Sequence, residues 1–182
     1  MAGSLIKIDE FTISSAVSNV ILGGGSSGSS GLNASIDSTY DVYMVQYLNV
    51  FMSSSGAKNR IRFTVSGSAD TSANYDRASK QMYTNQAFYN SSSTNQTYID
   101  SLGLGTTQDK SDYGTLYLFN FSNSSEYSFI TREQIQTNSA SEIAGIMGGA
   151  VLTVAQATDG IQFFADTGNI ASGSFLLYGL AK

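Results

Sequence analysis

The chain of 182 residues is long enough for one domain with a substantial core, and its nine Lys and Arg against fourteen Asp and Glu leave a formal charge of −5. Few and scattered cations argue against a nucleic-acid partner, because tracking phosphates needs clustered Lys and Arg. His, Cys, Trp and Pro are all absent, which removes Ser-His-Asp catalysis, thiolate metal sites and disulfides.

Charged residues make up only 13% of the chain, about half the usual share, while hydrophobic residues stand at an ordinary 41%. Ser, Thr, Asn and Gly fill the difference. These residues suit turns and wet strand faces and are poor in helices, so the composition favours β structure. The start MAGSLIKIDEF lacks a basic segment followed by an apolar run, and the expectation is a soluble protein made in the cytoplasm without a secretory signal. No apolar stretch approaches the ~20 residues of a spanning helix.

Taken in order, Ser4 to Ser14 alternates loosely and predicts a first strand with a bulge, with Ile6, Ile8 and either Phe11 or Ile13 turned inward. Residues 1–10 are read as that strand or as an N-terminal arm reaching a neighbour. Ala16 to Leu22 predicts a second short strand. The run from Gly23 to Gly31, GGGSSGSSG, predicts a flexible loop; without a Lys after its glycines it does not match a phosphate-binding loop.

Ile36 to Ser66 predicts two strands joined as a hairpin. In the second, Ile61, Phe63 and Val65 alternate with Arg60, Arg62, Thr64 and Ser66 and are the expected core. In the first, Val42, Met44 and Leu48 alternate with Tyr43, Val45 and Tyr47, so both faces are apolar or aromatic. Each face then requires something packed on it, either a second sheet or a neighbouring subunit.

From Gly67 to Gly105 the periodicity is weak. The reading there is mostly loop, with up to two helical turns over Asp76–Tyr83 and short strands near Gln86–Tyr89 and Thr97–Leu102. Gly114 to Ser122 predicts a strand with Leu116 and Leu118 in the core and Tyr117, Phe119 and Phe121 on the other side. It forms a hairpin with Glu126–Thr137. Ser139 to Ala155 predicts a turn or short helix before a strand at Ala150–Ala155. Asp159–Asp166 and Ser172–Leu180 close the set. Eight to ten strands at this spacing point to an all-β, antiparallel two-sheet β-sandwich with little helix, in one domain over 1–182.

Candidate sites are few. Arg60 and Arg62, with Arg77, Lys80 and Arg132, form a weak anionic-ligand patch, or else a polar strand face that discourages edge pairing. Asp70, Asp76, Asp109 and Asp112 lie near loops, but DKSD lacks the alternating ligands of a calcium loop; solvated turn carboxylates account for them. No catalytic residue, metal site or cofactor is assigned, and the expectation is a protein that is not an enzyme. Tyr43, Tyr47, Tyr117, Phe119 and Phe121 are candidates for a subunit interface, with core or a sugar-stacking platform as the other readings.

The segments FTISSAVSNVIL (Phe11–Leu22), IDSTYDVYMVQYLNV (Ile36–Val50), RIRFTVSGSADTSANYDRA (Arg60–Ala78), GTLYLFNFSNSSEYSF (Gly114–Phe129) and IASGSFLLYGL (Ile170–Leu180) resemble, in content and order, the small jelly-roll virion proteins of tailed bacteriophages, marine and cyanobacterial phages especially. The resemblance spans most of the chain, apart from the Gly23–Gly31 insertion. It implies a sandwich of jelly-roll type, located in the virion, forming a homo-oligomer and expected as a trimer. Its partners would be other virion proteins, the major capsid protein or tail proteins. The implied role is a capsid decoration or cement protein; the alternative is a tail-tip or fibre-head module binding host surface glycans.

Overall fold

The computed structural model describes residues 4–24, 35–138 and 140–181, which form two antiparallel sheets packed face to face. In chain order the strands are β1 (Leu5–Thr12), β2 (Asn19–Gly23), β3 (Val42–Met52), β4 (Asn59–Val65), β5 (Ser68–Ala69), β6 (Tyr75–Tyr83) and β7 (Gln86–Gln96). After one 3₁₀ turn at Gln108–Lys110 come β8 (Asp112–Phe119), β9 (Ser128–Thr137), β10 (Ile143–Leu152), β11 (Gly160–Ala165) and β12 (Ile170–Leu180).

The large sheet runs β1-β12-β3-β8-β9-β10-β6-β7 and the small one β2-β11-β4-β5. The pairs β1·β12, β2·β11, β3·β8 and β4·β5 are nested one inside the next. That nesting is a long antiparallel ribbon rolled on itself, the eight-stranded jelly roll. The hairpins β6–β7 and β9–β10 are added to it and widen one sheet from four strands to eight.

The core lies between the sheets. Val45, Tyr47, Leu116, Leu118, Phe175 and Leu177 from the large sheet meet Leu22, Ile61, Phe63, Ile161 and Phe163 from the small one, all at most 2% exposed. The expected core is placed here for Ile61, Phe63, Leu116 and Leu118; Val65 is only partly buried, at the last position of β4. A two-residue turn follows it, with Ser66 and Gly67 both at positive φ, 51° and 74°. That geometry suits the twist of the β4–β5 hairpin.

Several local expectations are overturned. The two strands within Ile36–Ser66 do not pair with each other: β3 pairs with β12 and β8, whereas β4 pairs with β11 and β5, so the chain crosses between sheets. Asp76–Tyr83 is strand, not helix, because it pairs with β10 on one side and β7 on the other. The strand expected at Ala150–Ala155 begins at Ile143, and Gly145, Gly148 and Gly149, in the part read as a turn or short helix, lie in the ladder. Thr97–Leu102 holds only a single bridge, Ile61 to Ile99. The Gly23–Gly31 loop lies outside the described residues from 25 onward. Leu5–Thr12 is a strand with a bulge between Lys7 and Asp9; Ile6 is 43% exposed rather than inward.

The unequal width of the sheets has a direct consequence for β9. Its buried residues are Ser128, Ile130, Arg132, Gln134 and Gln136, while Phe129 and Ile135 are exposed. Beyond the edge of the small sheet the inner side of β9 is covered by the irregular segment 97–105, whose backbone carbonyls need donors. Arg132 Nη1 donates to Asp100 O at 2.9 Å and Gln136 Nε2 to Gly103 O at 2.8 Å. Polar side chains therefore point in, and apolar ones are left facing out.

Candidate interaction surface

The outer face of the large sheet can be read row by row from the registers. One row places Tyr178, Met44, Tyr117, Thr131, Gly149 and Ala78 side by side, from β12 to β6. The next carries Leu176, Gln46, Thr115, Glu133, Met147 and Lys80. Beyond these, Tyr113, Ile135, Gly145 and Met82 occupy a third row, with Leu48 nearby on β3, and Phe119, Phe129 and Val151 a fourth on the opposite side.

Ile135 and Met147 are 56% and 50% exposed. Leu48, Tyr113, Tyr117 and Phe129 are exposed as well. On the four strands β8, β9, β10 and β6 this face shows only Glu133, Lys80 and Asp76 as charged groups. Exposed apolar residues that adjoin across neighbouring strands form the kind of patch that interaction surfaces present.

Met147 stands between two shallow hollows. The first is lined by Leu48, Met82, Tyr113, Thr115, Ile135 and Met147. The second is lined by Ala78, Thr94, Phe129, Thr131, Gly149 and Val151. Gly145 and Gly149, two residues to either side of Met147 on the same face, keep the ridge of β10 low.

Of the five aromatic residues expected at an interface, Tyr117 and Phe119 lie on this face, Tyr117 exposed and Phe119 half-buried. Tyr43, Tyr47 and Phe121 do not. They are interior, each at most 2% exposed. The strand parity was read correctly, but the second sheet covers the tyrosine side of β3 and leaves Met44 and Leu48 on the outer side, Met44 buried among its neighbours and Leu48 exposed. Tyr43 is fixed by its hydroxyl, which donates to Asp37 O at 2.8 Å and accepts from Asp37 N at 3.0 Å. Burial, foremost, pushes its pKa up to about 12. Phe121 packs on Phe63 with ring centroids 4.6 Å apart.

Sequence reading missed Leu48, Phe129, Ile135 and Met147 as surface residues. The inverted alternation of β9, with Ile135 among Glu and Gln, was the available signal. Met147 was hidden by a segment whose glycines suggested a broken helix.

The other candidate groups are engaged structurally. Arg60 stacks on the Tyr98 ring at 3.9 Å and bonds Asp100 at 3.1 Å and Asp166 at 3.5 Å. Arg62 lies over Phe164 at 4.2 Å and donates Nε to Thr97 O at 2.8 Å. Both clamp the 97–100 segment and its neighbours to the outside of the small sheet. Arg132 reaches Asp100 from the inner side of β9, with the Arg77 charge near it, and Lys80 stands on the outer face of the large sheet, so the five cations do not share one open patch.

The four carboxylates also serve separate places. Asp70 accepts from Ser72 N and Gln156 Nε2, Asp76 from Asn95 N, and Asp109 is exposed with its pKa lowered by a hydrogen bond from Thr107. Asp112 is fully buried beside Arg132. Desolvation raises its pKa to about 8, against the opposing pull of the Arg132 charge. Neither of its oxygens closes a hydrogen bond among the described residues, although the Gln134 and Asn59 side chains stand near enough to favour its ionised form.

No protein-family model matches the chain, and no curated protein or solved structure matches it either.

Proposed function

We propose that this chain is a non-enzymatic structural protein of a bacteriophage virion, a capsid decoration or cement protein that assembles as an oligomer on the particle. The observation that carries the reading is the exposed apolar outer face of a sandwich whose Arg60, Arg62 and Arg132 are committed to holding its own segments. A face of this kind is covered by a partner in the working assembly. The resemblance of the strand and turn segments to phage jelly-roll virion proteins supports the particle as its setting. Major capsid protein and further copies of this chain are the partners that reading names.

A second reading keeps the virion but moves the protein to a tail tip or fibre head. Tyr113, Tyr117, Tyr127 and Phe129 are each more than 40% exposed, and exposed rings can stack on sugars of a host surface. Copy number separates the two. Quantitative mass spectrometry of purified particles should find hundreds of copies for a capsid protein and a few dozen or fewer for a tail protein. Absence from the particles ends both readings.

A further inference from the structure

We propose that the outer face of the large sheet pairs two copies of this chain about a twofold axis lying along β10 at Met147, with Glu133 of each copy set against Lys80 of the other. The inference rests on reading this face as the assembly surface, and it names the first occupant.

The register supplies the geometry. Glu133 on β9, Met147 on β10 and Lys80 on β6 stand directly opposite one another in a single row. Neighbouring strands are about 4.8 Å apart, so the backbone positions of Glu133 and Lys80 flank that of Met147 at equal distance. Both side chains are exposed, and neither forms an ion pair among the described residues. Lys80 does reach toward the Phe88 ring, 5.5 Å from its centroid; that contact leaves the ammonium able to meet a carboxylate.

A twofold axis parallel to β10 lays β9 of one copy over β6 of the other. Each Glu133 then faces a Lys80, twice, and the contact satisfies the requirement that a patch complement itself. Turning the second sheet about an axis across the strands would instead stack Glu133 on Glu133 and Lys80 on Lys80. The same two charges thus favour one docking and oppose the other. Met147 meets its counterpart at the axis, and the two hollows beside it give these flexible side chains room to pass.

An axis along β10 overlaps the five strands β8, β9, β10, β6 and β7 of each copy. They make a strip roughly 24 Å wide and about 30 Å long, close to the roughly 800 Å² per partner of a standard interface. A threefold contact would need two different complementary patches, whereas this face offers one that is self-complementary. The geometry therefore points to twofold pairing in place of the trimer expected from the resemblance.

Sedimentation equilibrium of the full chain across the micromolar range tests this. The wild type should be a dimer. Glu133→Lys and Lys80→Glu should each raise the dissociation constant about tenfold or more, and the double reversal should return it to near wild type. All three should melt near the wild-type temperature, because both positions are exposed. Met147→Glu, which places like charges at the axis, should give a folded monomer. A wild type that is monomeric or trimeric, a folded double reversal that does not recover, or a dimer untouched by Met147→Glu would each overturn the proposal. Failure of the virion reading shows separately: a protein that dimerises in this way yet is missing from purified particles has the interface but not the setting.

Discussion

Tyr47 lies against Gly114, its cross-strand partner, so closely that a Cβ on that glycine would fall 2.2 Å from the phenol ring. Its other side meets Phe163 and Phe175, with ring centroids 5.6 and 6.4 Å away. An aromatic ring laid over a glycine fills the space its missing side chain leaves in the sheet. Tyr47→Ser should therefore unfold the protein rather than loosen an assembly, at a cost of about 3–5 kcal/mol, as for other large-to-small core changes. Urea unfolding measures it; a variant with wild-type stability and impaired association would return Tyr47 to an interface. The tyrosines of β3 were legible as one face of a strand. Which face the second sheet would cover was not, because Met44 and Leu48 are as apolar as Val45.

At the scale of elements, β10 shows how glycine can belong to a strand. Gly148 pairs with Ser79 and Arg132, and a Cβ there would fall 2.3 Å from Ala78 O and 2.6 Å from Ser79 Cα. Backbone atoms of a paired strand cannot step aside as a flexible side chain can. Gly148→Ala should push β6 away from β10, destabilising the protein by about 1–3 kcal/mol. In hydrogen exchange, Tyr75–Gln96 should lose protection while β3 and β12 keep theirs. Equal protection throughout would mean that β6 accommodates the methyl group.

Sequence reading missed β6, the second half of β7 and most of β10 for a common reason. Serine, glycine and lysine have low strand propensity; β6 and β10 form because each lies beside the other, distant in sequence, and β7 follows β6 as its hairpin partner. The strands with period-two patterning, β4 and β8, and the β8–β9 hairpin were readable from their own residues.

For the whole molecule, Asp112 couples stability to pH. Its pKa in the folded protein, about 8, lies above the roughly 3.9 of an unfolded chain. Between those values the folded state keeps a proton that the unfolded state has released. The stability tied to the neutral carboxyl is complete below about pH 4 and is lost as pH rises through about 8. The melting temperature should fall between pH 5 and pH 8, by about 5 °C or more. Asp112→Asn, which cannot ionise, should flatten that slope and gain on the wild type as pH rises. Parallel profiles for the two proteins would show that Asp112 does not govern it. The buried carboxyl itself was invisible in the sequence, where DKSD reads as a solvated turn; only the place of Asp112 between β3 and β9, under the 97–105 segment, removes it from water.

The threading of β12 between β1 and β3 bears on how the protein is made. Leu5 is a register partner of Leu180, and Tyr43 of Gly179. The large sheet cannot close while the chain is still being translated through β12, since until then β1 has no neighbour and β3 has only β8. Such late, distant pairings are slow steps in folding. Synthesis thus sets an order: β6, β8, β9 and β10, which carry the apolar outer face, can pair with one another before β12 is made, so the sticky surface precedes the closed sheet.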